Sequence, residues 1–139
     1  MPRDGSLRVE FRKHLREAQW TSIETGLTEG GVPDSHYIFA GGVEGWIEHK
    51  KAAANAVVFQ PLQVGWLSRR ARLGGRCFVA VRQTRTDDLY LFDGADAAAI
   101  QSGGLRGASP LGRWGGGPSG WNWTQVREVL TRPSCLPSS

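Results

Sequence analysis

The spacing of apolar residues changes along the chain, and each change predicts a new element. Helical spacing over residues 6–18 predicts an amphipathic helix. Its apolar side consists of Phe11, Leu15 and Ala18. Pro33 ends the polar segment that follows and favours extended geometry, so a strand is expected to start beside it. Residues 35–40 and 46–50 are β-prone, and the glycine-rich 41–45 segment between them predicts a hairpin.

The second half of the chain alternates helical and strand patterns. The predicted elements are a helix opened by Pro61 and closed after Leu73 by Gly74-Gly75, strands at 77–81 and 89–92, a short helix at 95–101, and a helix from Trp123 to Leu130. Residues 102–120, rich in Gly, Ser and Pro, are expected to form a long loop, and residues 133–139 a flexible tail. The pattern predicts one α/β domain over residues 1–132, with a central mixed sheet flanked by helices.

Charge favours a polyanionic partner. The net charge is +4 and the pI about 9.6, and most of the basic residues are arginines, whose planar fork suits phosphate oxygens. No stretch has the roughly 20 apolar residues that span a bilayer, and the first 16 residues are too polar for a signal peptide. Cys77 and Cys135 have no neighbouring ligands at zinc spacing. We therefore expect a cytoplasmic protein without a membrane partner.

The residues that suggest chemistry are Asp34 at the start of the hairpin and the Glu48-His49-Lys50 run on its second strand. Side chains alternate along a strand, so Glu48 and Lys50 share one face while Ile47 and His49 take the other. The hairpin can bring Asp34 beside Glu48. Two carboxylates can hold Mg²⁺ or Mn²⁺, with the His49 backbone carbonyl as a further ligand, and the ammonium can position a water. This set suits hydrolysis of a phosphodiester.

At this point the sequence resembles the PD-(D/E)XK nuclease superfamily, in particular small phage-encoded members similar to Holliday-junction resolvases. The matching segments are Ile23-Glu24, Gly31-Val32-Pro33-Asp34, Trp46-Ile47-Glu48-His49-Lys50, and Gln63 with Trp66. The resemblance covers residues 20–82 and implies a restriction-endonuclease-like core. It also implies that Glu24, or its rival Glu29, assists the metal, and that Gln63, or alternatively Gln60, supports the water or the DNA.

The resemblance implies a metal-dependent endodeoxyribonuclease, structure-specific for branched DNA such as a Holliday junction, acting as a homodimer. A nicking or sequence-specific phage endonuclease, and a noncatalytic DNA-binding module of the same fold, remain alternatives. Arginines on and after the second predicted helix are candidates for phosphate contacts, although a solvated basic face explains any single one nearly as well. They are Arg69, Arg70, Arg72, Arg76, Arg82 and Arg85. Either an isolated Pro-Asp turn or an isolated Glu-x-Lys strand would be ordinary surface chemistry.

Overall fold

A computed structural model describes residues 5–23 and 30–133. Within these ranges the chain forms six strands, four α-helices and two short 3₁₀ turns. The elements are α1 Gly5–His14, β1 Gln19–Ser22, β2 Ser35–Phe39, β3 Val43–Ala52, α2 Gln63–Arg72, β4 Cys77–Gln83, β5 Asp88–Asp93, a 3₁₀ turn Gly94–Asp96, α3 Ala97–Gly103, a 3₁₀ turn Gly104–Gly107, β6 Gly112–Trp114 and α4 Trp123–Thr131. None of the helices in the described part is long and apolar enough to cross a membrane.

The strands form one sheet in chain order, from β1 at one edge to β6 at the other. Neighbouring strands are antiparallel except β3 and β4, which are parallel and joined through α2. Parallel neighbours need such a crossover, and their carboxyl ends meet at the same end of the sheet. The predicted α/β fold with a central mixed sheet flanked by helices is confirmed, and it is consistent with a restriction-endonuclease-like core.

Each face of the sheet carries its own hydrophobic core. On one face, Phe11 of α1 and Leu130 of α4 belong to a buried cluster with Ile47 of β3. On the other face, Leu67 of α2 and Ile100 of α3 belong to a second buried cluster. Alternation along β3 therefore directs Ile47 and His49 towards α1, and Glu48 and Lys50 towards α2.

The start of α2 differs from the sequence expectation. The helix begins at Gln63 rather than at Pro61, because Leu62 has a left-handed backbone with φ of 77°. A turn precedes the helix instead, in which the Gln63 N–H donates to the Gln60 carbonyl at 3.2 Å. The helix ends where predicted, with Leu73 as its C-cap and Gly74 at a φ of 88°.

Tertiary pairing also overrides two local expectations. The first helix ends at His14 rather than at residue 18, and residues 19–22 form the edge strand β1 against β2. Residues 102–120 are not a loop throughout, since they contain β6 and a 3₁₀ turn whose Leu105 is buried. In both places a partner strand or core contact supplies order that the local sequence does not encode.

Candidate active site between β2 and β3

The hairpin register brings the two predicted carboxylates together. Ser35 pairs with Ile47, so Asp34, one residue before β2, lies opposite Glu48. The Asp34 backbone N–H donates to Glu48 Oε1 at 3.2 Å. The juxtaposition of Asp34 and Glu48 follows from antiparallel pairing, which the glycine turn at 40–42 sets in register.

The Asp34 carboxylate is held mainly by His49. The His49 backbone N–H donates to Oδ2 at 3.1 Å, and His49 Nδ1 lies 2.7 Å from Oδ1. The Ser35 hydroxyl donates to Oδ1 at 3.1 Å. Burial acts to raise the pKa of Asp34, but attraction and hydrogen bonds from His49 and Ser35 outweigh it and bring the pKa below its ordinary value. Asp34 therefore stays ionised, with 20% of its side chain exposed.

Glu48 and Lys50 are joined through the amide of Gln63, at the start of α2. Gln63 Nε2 donates to Glu48 Oε2 at 2.8 Å, and Lys50 Nζ donates to Gln63 Oε1 at 2.8 Å. Lys50 Nζ lies 3.4 Å from Glu48 Oε2. Gln63 Oε1 also accepts from the Gln60 backbone N–H at 2.7 Å. Gln63 thus fixes the positions of both charged side chains, while Gln60, the alternative, is exposed and contributes its backbone.

The surroundings of Glu48 disfavour its charge. Burial, and then the neighbouring negative charge of Asp34, raise the pKa of Glu48 to about 6 despite attraction from Lys50. The Lys50 side chain is 10% exposed, and its ammonium lies 5.0 Å from the centre of the Phe59 ring. The Glu48 carboxylate is therefore short of compensating positive charge, and a bound divalent cation would supply it.

The available donors fit a hard cation such as Mg²⁺. Asp34 and Glu48 each offer carboxylate oxygens with lone pairs beyond those used by the hydrogen bonds above. The His49 N–H points towards Asp34, and its carbonyl lies on the same edge of β3, as for any residue in a strand. Across the described residues no group of three or more His, Cys, Asp or Glu side chains is placed to hold a metal. Glu24 and Glu29 lie outside those residues.

The His49 side chain is a part of this site that the sequence did not reveal. Its ring is fully buried on the α1 face, with its centre 4.8 Å from that of Phe11. Nδ1 contacts Asp34, whereas Nε2 has no hydrogen-bond partner within the described parts of the chain. Strand alternation correctly placed the ring on the opposite face from Glu48. It could not show that Asp34, lying just before the start of β2, reaches that ring.

The six arginines proposed for DNA contacts divide into two groups. Three are engaged with the protein. Arg70 stacks over Trp66 at 4.4 Å, Arg76 donates to the Arg132 carbonyl at 2.9 Å, and Arg82 forms two hydrogen bonds with Asp87, at 2.6 and 3.2 Å. The others are exposed and make no ion pair with any described residue. They are Arg69, Arg72 and Arg85.

Comparison with known proteins does not assign the chain to a family. The chain matches no protein-family model, and no curated protein is significantly similar to it in sequence.

Proposed function

We propose that this chain is a metal-dependent endodeoxyribonuclease of the PD-(D/E)XK type, with Asp34, Glu48 and Lys50 at its active centre. The observation that carries the proposal is the buried Glu48, Lys50 and Gln63 network beside the partly exposed Asp34 carboxylate. It lies where β3 approaches its carboxyl end and β2 begins, at the end of the sheet.

Burial argues against a purely structural ion pair. Removing two charges from water costs several kcal/mol per ion, and a well-packed apolar pair of the same volume is often at least as stable. Glu48, Lys50 and Gln63 are nevertheless held close together, with the Lys50 ammonium 5.0 Å from the centre of the Phe59 ring. Buried, mutually perturbing ionisable groups that adjoin solvent are typical of functional sites.

Each residue has a distinct proposed role. Asp34 and Glu48, with the His49 carbonyl, would hold Mg²⁺ or Mn²⁺, and Glu24 remains a candidate to assist them. The cation, when bound, offsets negative charge on the phosphate and lowers the pKa of a water. Lys50 positions that water and offsets charge on a nonbridging oxygen. Gln63 is a positioning residue, because its amide is occupied by Glu48 and Lys50.

The proposal extends to DNA as substrate, branched DNA as the preferred form and a homodimer as the acting species. The net charge of +4 supports a polyanionic substrate. The branched preference and the dimer rest on the resemblance to junction resolvases, which cut two strands symmetrically. A nicking or sequence-specific enzyme, or a DNA-binding module without catalysis, would use the same fold.

A panel of labelled substrates separates these possibilities. We would incubate the protein with four-way junction, nicked, single-stranded and linear duplex DNA of matched sequence, with Mg²⁺, Mn²⁺ or EDTA. The proposal predicts metal-dependent cleavage, fastest on the junction. DNA binding without product on every substrate would leave only the noncatalytic module, and equal rates on all duplex forms would remove the branched preference alone.

A further inference from the structure

Beyond β3 and β4, on the α2 side of the sheet, lies an open cavity of about 350 Å³ rich in arginine. Its lining includes Arg85, Arg106 and Arg113, together with Asn55, Gln83 and Tyr90. Asn55 follows the end of β3 and Gln83 ends β4, so this arginine pocket opens where the two parallel strands finish. Arg106 and Arg113 come from the segment that the sequence predicted to be a loop.

The pocket is built by hydrogen bonds that fix its walls. Asn55 accepts from the backbone N–H of Leu105 at 2.8 Å and of Arg106 at 3.0 Å, and its Nδ2 donates to the Gly103 carbonyl at 3.0 Å. Gly104 has a φ of 71° and contacts Asn55 so closely that a side chain there would collide with it. These contacts attach the Arg106 turn to the end of β3.

The three arginines leave the pocket with excess positive charge. Arg113 lies 4.7 Å from the centre of the Tyr90 ring and pairs with Asp88 at 2.8 Å. Arg85 and Arg106 are exposed, and neither makes an ion pair with a described residue. Two guanidinium groups therefore remain available. Their planar donors match the oxygens of a phosphate better than those of any neutral ligand.

Strand register relates the pocket to the candidate active site. Lys50 pairs with Val81, Val81 with Tyr90, and Tyr90 with Arg113, so these four residues form one row across the sheet. All four side chains are on the α2 face, where Val81 and Tyr90 are core residues. Three strand spacings of about 4.8 Å separate Lys50 from Arg113 by roughly 14 Å. That span corresponds to about four base-pair steps along the axis of duplex DNA, at roughly 3.4 Å per step.

We propose that the arginine pocket binds a non-scissile phosphate of the DNA, a few nucleotides from the bond that is cut. This inference rests on the proposed nuclease function and extends it, because it assigns a second, separate contact with the DNA backbone. The contact would hold DNA in register over Asp34, Glu48 and Lys50, because it fixes the backbone at a second point. It carries no base information, since the donors are arginine side chains that meet a phosphate.

Binding measurements on charge-matched variants test the pocket. Fluorescence anisotropy would give the Kd of labelled duplex and junction DNA over a range of salt concentrations, without metal, for the wild type, Arg85→Gln and Arg106→Gln. Arg16→Gln, which removes an exposed arginine outside the pocket, is the control. We expect each pocket variant to bind about tenfold more weakly, with a salt slope reduced by about one, while the control changes neither.

Three outcomes would overturn the inference. If the pocket variants bind DNA as tightly as Arg16→Gln, the inference is wrong, but cleavage and the proposed function are unaffected. The inference is also wrong if the wild type binds no DNA. It is wrong, too, if inorganic phosphate binds saturably and DNA does not displace it, because the pocket would then bind free phosphate. DNA binding that depends on Arg85 and Arg106 in a protein that cuts nothing would retain the pocket and remove the nuclease.

Discussion

Glu48 is a buried ionisable residue and also a proposed metal ligand. The residue is 5% exposed, and its carboxylate has Asp34, Lys50 and Gln63 as neighbours. Without a cation, burial and Asp34 make its ionised form costly, and Lys50 offsets only part of that cost. The pH dependence of folding should therefore report directly on this residue.

Between about pH 4.5 and pH 7, Glu48 should make the protein less stable as pH rises. Its pKa is raised from 4.5 to about 6, so the folded protein binds the proton more tightly than the unfolded chain does. The resulting stabilisation is complete below pH 4.5 and is lost as pH rises through about 6. Relative to Glu48→Gln, the wild-type free energy of unfolding should fall by on the order of 2 kcal/mol across this range.

Urea unfolding in EDTA at several pH values would measure that difference. The lowered pKa of Asp34 affects stability only below its ordinary value of 3.8, outside this window. If the free energy of unfolding changes in parallel for the wild type and Glu48→Gln from pH 4.5 to 7, then Glu48 titrates as it does in the unfolded chain. That result would contradict its raised pKa in the folded protein.

Lys50 should matter for turnover and not for DNA affinity. Its ammonium is held inside the site by Gln63 and Glu48, where under the proposed function it would act on the reacting phosphate and not on the rest of the DNA. Lys50→Ala should slow single-turnover cleavage by about 100- to 1,000-fold with little change in Kd. Lys51→Ala is the matched control, because Lys51 is the next residue on β3 and is exposed. Equal losses of binding and rate would make Lys50 a phosphate contact instead.

At the scale of elements, the hairpin was predictable because its signals are local. Pro33, the glycines after β2 and the alternation along β3 specify two antiparallel strands, and the register Ser35 to Ile47 then brings Asp34 to Glu48. The family resemblance placed Gln63 in the site as a support for the water or the DNA, but it did not predict the contact of its amide with both Glu48 and Lys50. That contact depends on the position of α2 beside the sheet, which the 53–62 segment and the left-handed backbone of Leu62 determine.

Other elements could not be predicted because their order comes from distant partners. The short edge strands β1 and β6 carry weak patterns and are ordered by pairing with β2 and β5. Likewise, Arg106 and Arg113 lie in a segment whose composition indicates a loop. Contacts with Asn55, Asp88 and Tyr90 bring them to the end of β4. His49 reaches Asp34 for a similar reason, through a contact between residues 15 apart.

In the molecule as a whole, one face of the sheet packs against an apolar core and the other face carries the charged residues of the candidate site. The α1 and α4 face holds a large apolar core in which His49 is buried behind Asp34. The α2 and α3 face holds Glu48, Lys50 and, farther along the same row, Arg113. The proposed substrate would lie across the end of the sheet where β3 and β4 finish, with the cutting site and the arginine pocket along its path.

Glu48 is the proposed metal-binding carboxylate of the nuclease site, and the cleavage rate of a variant without its charge tests that role. Single-turnover cleavage of the preferred substrate would be measured with Mg²⁺ for the wild type, Glu48→Gln and Glu44→Gln. Glu44 is the matched control, because it lies on the same strand but its side chain is 57% exposed and pairs with His36. We expect Glu48→Gln to lose about 1,000-fold or more in rate, from several kcal/mol of lost charge stabilisation, while Glu44→Gln cuts as the wild type does. Wild-type cleavage by a folded Glu48→Gln protein would contradict the assignment of this site.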